Sequence, residues 1–191
     1  FIRAGGFLPQ GFDLDHYLEQ CKAQLMQEAD YEREADFLQQ FNQISGSYPG
    51  IKVPEYIEDF STASILCMSY VPGSNIDQPS LFSYAEREKI AMLMVEWTLE
   101  EIFDFQLLQS DPNFANYRFD TESSQLVLLD FGATVRISDA TVSVYRNLLG
   151  AMLKNNQQAF LSYLSAYQLL PENVPEHLQK LIGDILSVAL K

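Results

Sequence analysis

Two short stretches of this sequence carry residue types that could handle a divalent cation and a phosphate ester. The first is Asp111-Pro112-Asn113-Phe114-Ala115-Asn116 and the second is Leu128-Leu129-Asp130-Phe131-Gly132. Magnesium takes hard oxygen ligands and keeps phosphate oxygens in its shell. A carboxamide oxygen from Asn116 and a carboxylate from Asp130 meet that demand. Asp111, five residues before Asn116, would stand beside the attacking group, to orient it or to take its proton. Gly132 is expected to let the chain turn sharply after the metal ligand. Taken singly, Asp-Pro-Asn is a common turn and Asp-Phe-Gly a strand-end turn. Their joint spacing, with an apolar helix just before them, is what points to phosphoryl chemistry.

Several elements must position these residues. A linker rich in Gly and Pro spans residues 1–12. Asp13 can cap a long helix reaching about Ile44, with Leu14, Leu18, Cys21 and Leu25, then Phe37, Leu38, Phe41 and Ile44, at helical spacing. Between those groups lies an acidic run, Glu28, Asp30, Glu32, Glu34 and Asp36, opposed by Arg33 alone. Asp30 and Glu34 are i,i+4 and share a helix face. Such a run is also what a solvated helix surface looks like. Two strands are expected near Lys52–Tyr56 and Ala63–Met68, the second ending at Val71-Pro72-Gly73. A helix from about Ser83 to Leu107 is apolar on most sides, which predicts burial. A hairpin follows, with strands Tyr117–Phe119 and Gln125–Asp130 around a turn at Asp120–Ser124. Three helices complete the chain, marked by Tyr145–Leu153, Phe160–Leu164 and Leu178–Ala189.

Composition bounds the function. The chain has 191 residues, 47% of them hydrophobic, and a formal net charge of −14. It can bury a core and is not disordered by composition. Nucleic-acid binding through a broad basic surface is unexpected, because phosphate contacts need clustered Lys and Arg. The same acidity argues against an electrostatic grip on anionic lipid by these residues. Two distant cysteines, Cys21 and Cys67, form neither a disulfide framework nor a zinc pattern. No apolar run approaches the length of a membrane span. A reducing compartment, cytoplasm or organelle matrix, fits these features, and any membrane association would come from segments outside these residues. The start without Met reads as a piece cut on its amino-terminal side.

An Asp and an Asn five residues apart, followed by an Asp-Phe-Gly that ends a strand, is the arrangement of protein-kinase catalytic loops. Gln109-Ser110-Asp111-Pro112-Asn113-Phe114-Ala115-Asn116 with Leu128-Leu129-Asp130-Phe131-Gly132-Ala133-Thr134 resembles the ABC1/UbiB/ADCK family of atypical kinases. The upstream Gln27-Glu28-Ala29-Asp30-Tyr31-Glu32-Arg33-Glu34-Ala35 is similar to that family's Glu-x-Asp signature. The Gln before Ser-Asp-Pro is closest to the branch associated with coenzyme Q. The resemblance implies an α+β, protein-kinase-like fold: residues 13–71 would be a remnant of the small lobe, with the long helix, two strands and the hinge. Residues 72–191 would be the mostly helical large lobe with its catalytic hairpin. It implies ATP and Mg²⁺ as cofactors, Asn116 and Asp130 as metal ligands, and Asp111 as the catalytic-loop aspartate. Glu28 and Asp30 would be the Glu-x-Asp pair facing the active site. Glu34 would pair with the nucleotide-binding lysine of a strand not in this chain. Met68 would flank the adenine, and backbone groups of Ser69 and Val71 would meet its edge; an ordinary buried strand and turn is the alternative for that segment.

The sequence also departs from the kinase pattern. It holds no glycine- or alanine-rich phosphate loop, no Val-Ala-Ile-Lys-like lysine and no Lys-x-Gly-Gln segment. Gln109-Ser110 replace His-Arg, which removes the usual arginine link to a phosphorylated activation loop. The stretch after Gly132 is too short to dock a peptide. The resemblance therefore implies Mg-dependent ATP hydrolysis, or phosphoryl transfer to a small or lipid-like acceptor, in support of ubiquinone biosynthesis and its enzymes. These 191 residues alone are expected to be inactive. The alternatives are a nucleotide-sensing pseudokinase scaffold and a purely helical interaction protein.

Overall fold

A computed structural model of the chain describes residues 29–111 and 113–170 continuously, together with positions 14, 17–19, 22, 175, 177, 178, 181 and 182. The chain forms two compact units, Phe1–Thr98 with Gln109–Val135, and Leu99–Leu108 with Arg136–Lys191.

The first unit is built on helix α1 (Tyr31–Ser45), whose buried residues Glu34, Ala35, Phe37, Leu38 and Phe41 make a single stripe at helical spacing. The uninterrupted helix expected from Asp13 to Ile44 is not what forms. Positions 14, 17–19 and 22 are helical, but Ala29 lies in a turn. Asp30 adopts φ −89° and ψ 83°, and its side chain accepts the backbone N–H of Arg33. A short acid competes well for free donors at a helix start, so it caps a new helix rather than continuing an old one.

Strands β1 (Ile51–Lys52), β2 (Ser74–Asn75), β4 (Tyr117–Asp120) and β5 (Gln125–Leu128) make one sheet in the order β1-β5-β4-β2. The hairpin β4–β5 is antiparallel, with Tyr117 opposite Leu128 and Asp120 opposite Gln125. β1 runs parallel to β5, and β2 antiparallel to β4. Leu126, Val127 and Leu128 are fully buried. Behind them Phe131, Phe41 and Trp97 form a chain of rings, with centroids 5.3 Å apart for the first pair and 6.1 Å for the second. Asn42, at the end of the stripe, donates its carboxamide N–H groups to the carbonyls of Val53 (3.1 Å) and Pro54 (3.0 Å). That side chain ties α1 to the segment after β1.

The two strands expected at 52–56 and 63–68 shrink to a few contacts. Tyr56 and Met68 form one antiparallel bridge. It is flanked by Ile57 N–H to Cys67 O (2.9 Å) and Ser69 N–H to Glu55 O (2.8 Å). Pro54 has no N–H to offer a ladder, and a helical turn at Glu58–Phe60 ends the pairing.

Helix α2 (Tyr84–Glu100) opens with a reciprocal cap: Ser83 N–H donates to Glu86 Oε2 (2.7 Å) and Glu86 N–H to Ser83 Oγ (3.3 Å). The expectation that this helix is buried on most sides is corrected. Only Ile90 and Trp97 are buried, whereas Met92 and Val95 are more than half exposed. An apolar helix with little asymmetry cannot announce which stripe meets the core. Here the core touches it on one line, seven residues long. The helix ends at Glu100 and a π-helical turn runs over Glu101–Phe105. Two further short strands, β3 (Leu107–Gln109) and β6 (Thr134–Arg136), pair with each other and flank the Asp111 and Asp130 segments in sequence.

The second unit is helical. α3 (Asp139–Leu153) is capped by Ser138 and α4 (Gln157–Ala166) by Asn156. Asn147 donates to the hydroxyl of Tyr167 at 2.6 Å, and the Arg146 guanidinium lies over the ring of Phe103, 5.7 Å from its centroid. The third expected helix falls mostly outside the described residues; positions 177, 178, 181 and 182 are helical. Among the described residues no helix is long and apolar enough to cross a membrane.

Candidate active site

Hairpin geometry brings the two chemical stretches together. Tyr117 pairs with Leu128, and one step further the N–H of Leu129 donates to the carbonyl of Asn116 at 3.0 Å. The residue before the hairpin and the residue after it are thereby neighbours, which sets Asn116 beside Leu129-Asp130. The loop leading in is shaped by its own side chains. Asn113 Oδ1 accepts the N–H of Ala115 (3.0 Å), and Asn113 O accepts that of Asn116 (2.9 Å). Gln109 Oε1 accepts the hydroxyl of Tyr117 (3.1 Å). Ser110 donates both its N–H (3.2 Å) and its hydroxyl (2.6 Å) to the carbonyl of Ala133. Gln-Ser at this position thus fastens the loop to the hairpin and to the stretch after Gly132.

Asp111, Asn116 and Asp130 line one cavity of about 520 Å³, together with Glu34, Tyr31, Ala115, Leu129, Gly132 and Ala133. Asp111 and Asp130 are exposed to it, and Asn116 is half-buried. Carboxylate and carboxamide oxygens dominate this lining, which is the donor chemistry a hard divalent cation requires. Asp130 Oδ1 accepts the N–H of Gly132 at 3.0 Å. That bond shapes the turn and leaves carboxylate lone pairs for a ligand. Gly132 itself does not use a left-handed conformation; among the described glycines only Gly73 has positive φ, at 146°. No steric clash demands glycine at 132 either. A Cβ there would lie 3.5 Å from Asp130 Oδ1 and 3.6 Å from Glu34 Oε2.

Glu34 enters from α1, 9% exposed, and its Oε1 accepts the N–H of Phe131 at 3.4 Å. Burial pushes its carboxyl above the ordinary value; the Phe131 N–H opposes this, and the nearby Asp130 charge adds to it. Among the described residues that line the cavity there is no cation to compensate such a group.

The remaining expected site residues lie elsewhere. Asp30 does not line the cavity; its carboxylate caps α1 through Arg33 N–H at 3.1 Å. Glu28 lies outside the described residues. Met68 and Ser69 are half-buried and Val71 is buried, none of them on this cavity. The N–H of Ser69 is committed to Glu55 O, and its hydroxyl accepts Glu55 N–H at 2.8 Å. Its carbonyl is therefore the group that could meet an adenine edge. Sequence reasoning passed over Tyr31, whose ring joins the cavity wall. It also noted Arg33 only as the lone cation in an acidic run, although the next residue, Glu34, was picked out by its motif.

A model of the ABC1 atypical kinase-like domain matches residues 2–164. The chain is 31% identical over 166 residues to "Atypical kinase coq-8, mitochondrial" of Caenorhabditis elegans, covering 85% of this chain and 22% of that protein. It is 31% identical over 173 residues to "Atypical kinase COQ8, mitochondrial" of Saccharomyces cerevisiae, covering 87% of this chain and 34% of that one. The chain therefore spans roughly a fifth to a third of these relatives' length. A Mycobacterium tuberculosis structure described as the Rv3197-erythromycin complex superposes with a TM-score of 0.75 at 17% identity, over 96% of this chain and 46% of that chain, which shows a shared fold. With the family model covering most of its length and the α+β kinase-like architecture in place, the chain belongs to the ABC1 atypical kinase-like family.

Proposed function

We propose that these residues form the magnesium- and phosphate-handling side of an ATP site, in a protein that hydrolyses ATP or passes its γ-phosphoryl group to a small or lipid-like acceptor. The observation that carries this reading is the convergence of Asp111, Asn116 and Asp130 on one cavity from stretches separated by the hairpin. Asn116 and Asp130 would hold the cation, and their oxygen chemistry fits it. Bound there, Mg²⁺ would neutralise charge on the phosphate oxygens. Asp111, on the same cavity, would orient a water or hydroxyl and accept its proton. Met68, with the Ser69 carbonyl and Val71, would meet the adenine. Glu34 would bind the lysine of the rest of the nucleotide site, which would also relieve its buried charge. Glu28 would restrict the cleft to acceptors other than peptides, with Asp30 holding the start of α1. The kinase and mitochondrial names of the relatives support a matrix protein serving ubiquinone biosynthesis, with enzymes of that route as partners.

The test is Asp130→Asn in the full-length protein. Losing a charged ligand should abolish most magnesium-dependent stabilisation by nucleotide in a thermal-shift titration and remove single-turnover ATP hydrolysis. Unchanged magnesium dependence would refute the reading. Magnesium-dependent binding in the wild type with no hydrolysis at all would favour a nucleotide-sensing scaffold instead.

A further inference from the structure

The stretch that follows Asp130 is gripped by helix α1 at consecutive residues. Arg33 donates through Nη1 to the carbonyl of Gly132 at 2.6 Å and through Nη2 to the carbonyl of Thr134. Its guanidinium also lies over the ring of Phe37, 5.0 Å from the centroid. Glu34 accepts the N–H of Phe131, and the Phe41 ring packs against that of Phe131 at a tilt of 35°. The carbonyl between the two that Arg33 takes, that of Ala133, is held by Ser110. Three successive carbonyls after Asp130 are therefore fixed, two by α1 and one by the catalytic loop.

Arg33 is suited to this task. A guanidinium is always charged, and its planar fork presents parallel N–H donors, so one side chain can span two carbonyls that a lysine could reach only one at a time. The bonds are charge-assisted and partly buried, where such bonds are stronger than neutral ones. Kinase catalytic loops commonly carry an arginine that anchors the corresponding segment through a phosphate. Here that position is Ser110. Thr134 is the sole hydroxyl residue between Gly132 and Arg136, and it is fully buried, so it presents no phosphate-accepting group on this segment.

We propose that Arg33 is a positioning residue for the metal ligand Asp130. It clamps the carbonyls of Gly132 and Thr134 from helix α1 and so holds the segment in its metal-binding form without phosphorylation. The proposal rests on the magnesium-ATP reading given above and deepens it. Asp30 belongs to the same device, because its cap on the Arg33 N–H fixes the first turn of the helix from which Arg33 projects. Anything that shifts α1 therefore shifts Asp130 with it.

The experiment compares wild-type full-length protein with Arg33→Met, which keeps length but removes the donors, and Arg33→Lys, which keeps charge and one reach. Magnesium is titrated at fixed nucleotide by thermal shift, and amide hydrogen exchange is followed without metal. Arg33→Met should raise the magnesium concentration for half-effect by about 10- to 100-fold, the usual consequence of losing a group that orients a metal ligand. Arg33→Lys should fall between it and the wild type. Exchange should accelerate at residues 131–136 and stay unchanged in the β4–β5 hairpin. Wild-type magnesium dependence in Arg33→Met overturns the proposal. So does exchange that accelerates evenly along the chain, which would mark Arg33 as a general stabiliser. If the wild type itself shows no magnesium-dependent nucleotide binding, the function reading fails and takes the metal role of Arg33 with it. The local exchange rates still decide separately whether the clamp exists.

Discussion

Replacing Gly132 by alanine separates the fold from the site. A methyl group there would meet Asp130 Oδ1 at 3.5 Å, Glu34 Oε2 at 3.6 Å and Glu34 Cδ at 3.7 Å, all ordinary van der Waals distances. The backbone at 132 is not in the left-handed region, so alanine carries no conformational penalty. Restricting the unfolded chain should offset the poorer solvation of two carboxylates, and the net change in stability should stay within about 1 kcal/mol. Ligand binding should respond differently. The methyl occupies the space between the carboxylates of Asp130 and Glu34, where water or a phosphate oxygen would complete the shell of a magnesium ion. Displacing one such ligand should weaken magnesium-dependent nucleotide binding at least about tenfold, or about 1.4 kcal/mol. The assay is calorimetric titration of the full-length protein with magnesium and a non-hydrolysable nucleotide, paired with urea unfolding in the absence of metal. Gly132→Val should act in the same direction and more strongly. Unchanged magnesium affinity in Gly132→Ala would refute the placement of a water or phosphate oxygen of the magnesium shell between these side chains. A loss of stability well beyond about 2 kcal/mol would refute the reading that alanine fits at 132 without strain.

Other outcomes follow from the same geometry. Glu34 titrates above its ordinary value of 4.5 in the folded chain, so between 4.5 and its raised value the folded state binds more protons than the unfolded one. Its contribution to stability is complete below pH 4.5 and is lost as pH rises through that window. Urea unfolding of these 191 residues at a series of pH values should show wild type losing stability relative to Glu34→Gln across the window; a constant difference would contradict it. Asn42→Ala should cost about 1–3 kcal/mol, because the carbonyls of Val53 and Pro54 lose their donor in a buried setting. Asn42→Asp should cost at least as much, since a carboxylate cannot donate, and a loss of unfolding free energy smaller than about 0.5 kcal/mol in either variant, from urea titration, would count against the bridge.

Where structure depends on neighbours in the chain, the sequence by itself was sufficient. The hairpin over 117–128 follows from an alternating strand, Tyr117–Asp120, and a short apolar run, Leu126–Leu128, around a polar turn. The spacing of Asp111, Asn116 and Asp130 was enough to expect them on one cavity, because a tight hairpin leaves its two ends only one place to meet. What required the tertiary structure was everything carried across long separations or decided by competition between equal local options. An acidic run does not say which acid caps a helix, which is buried and which faces solvent; Asp30 took the first role and Glu34 the second because the core lies on one side of α1. An apolar helix does not say which stripe is covered, and α2 left Met92 and Val95 exposed. The grip of Arg33 and Glu34 on the segment after Asp130 joins residues about a hundred positions apart. No local pattern encodes such a contact: it exists only because the sheet carries Phe131 onto Phe41 and sets that backbone within reach of the helix.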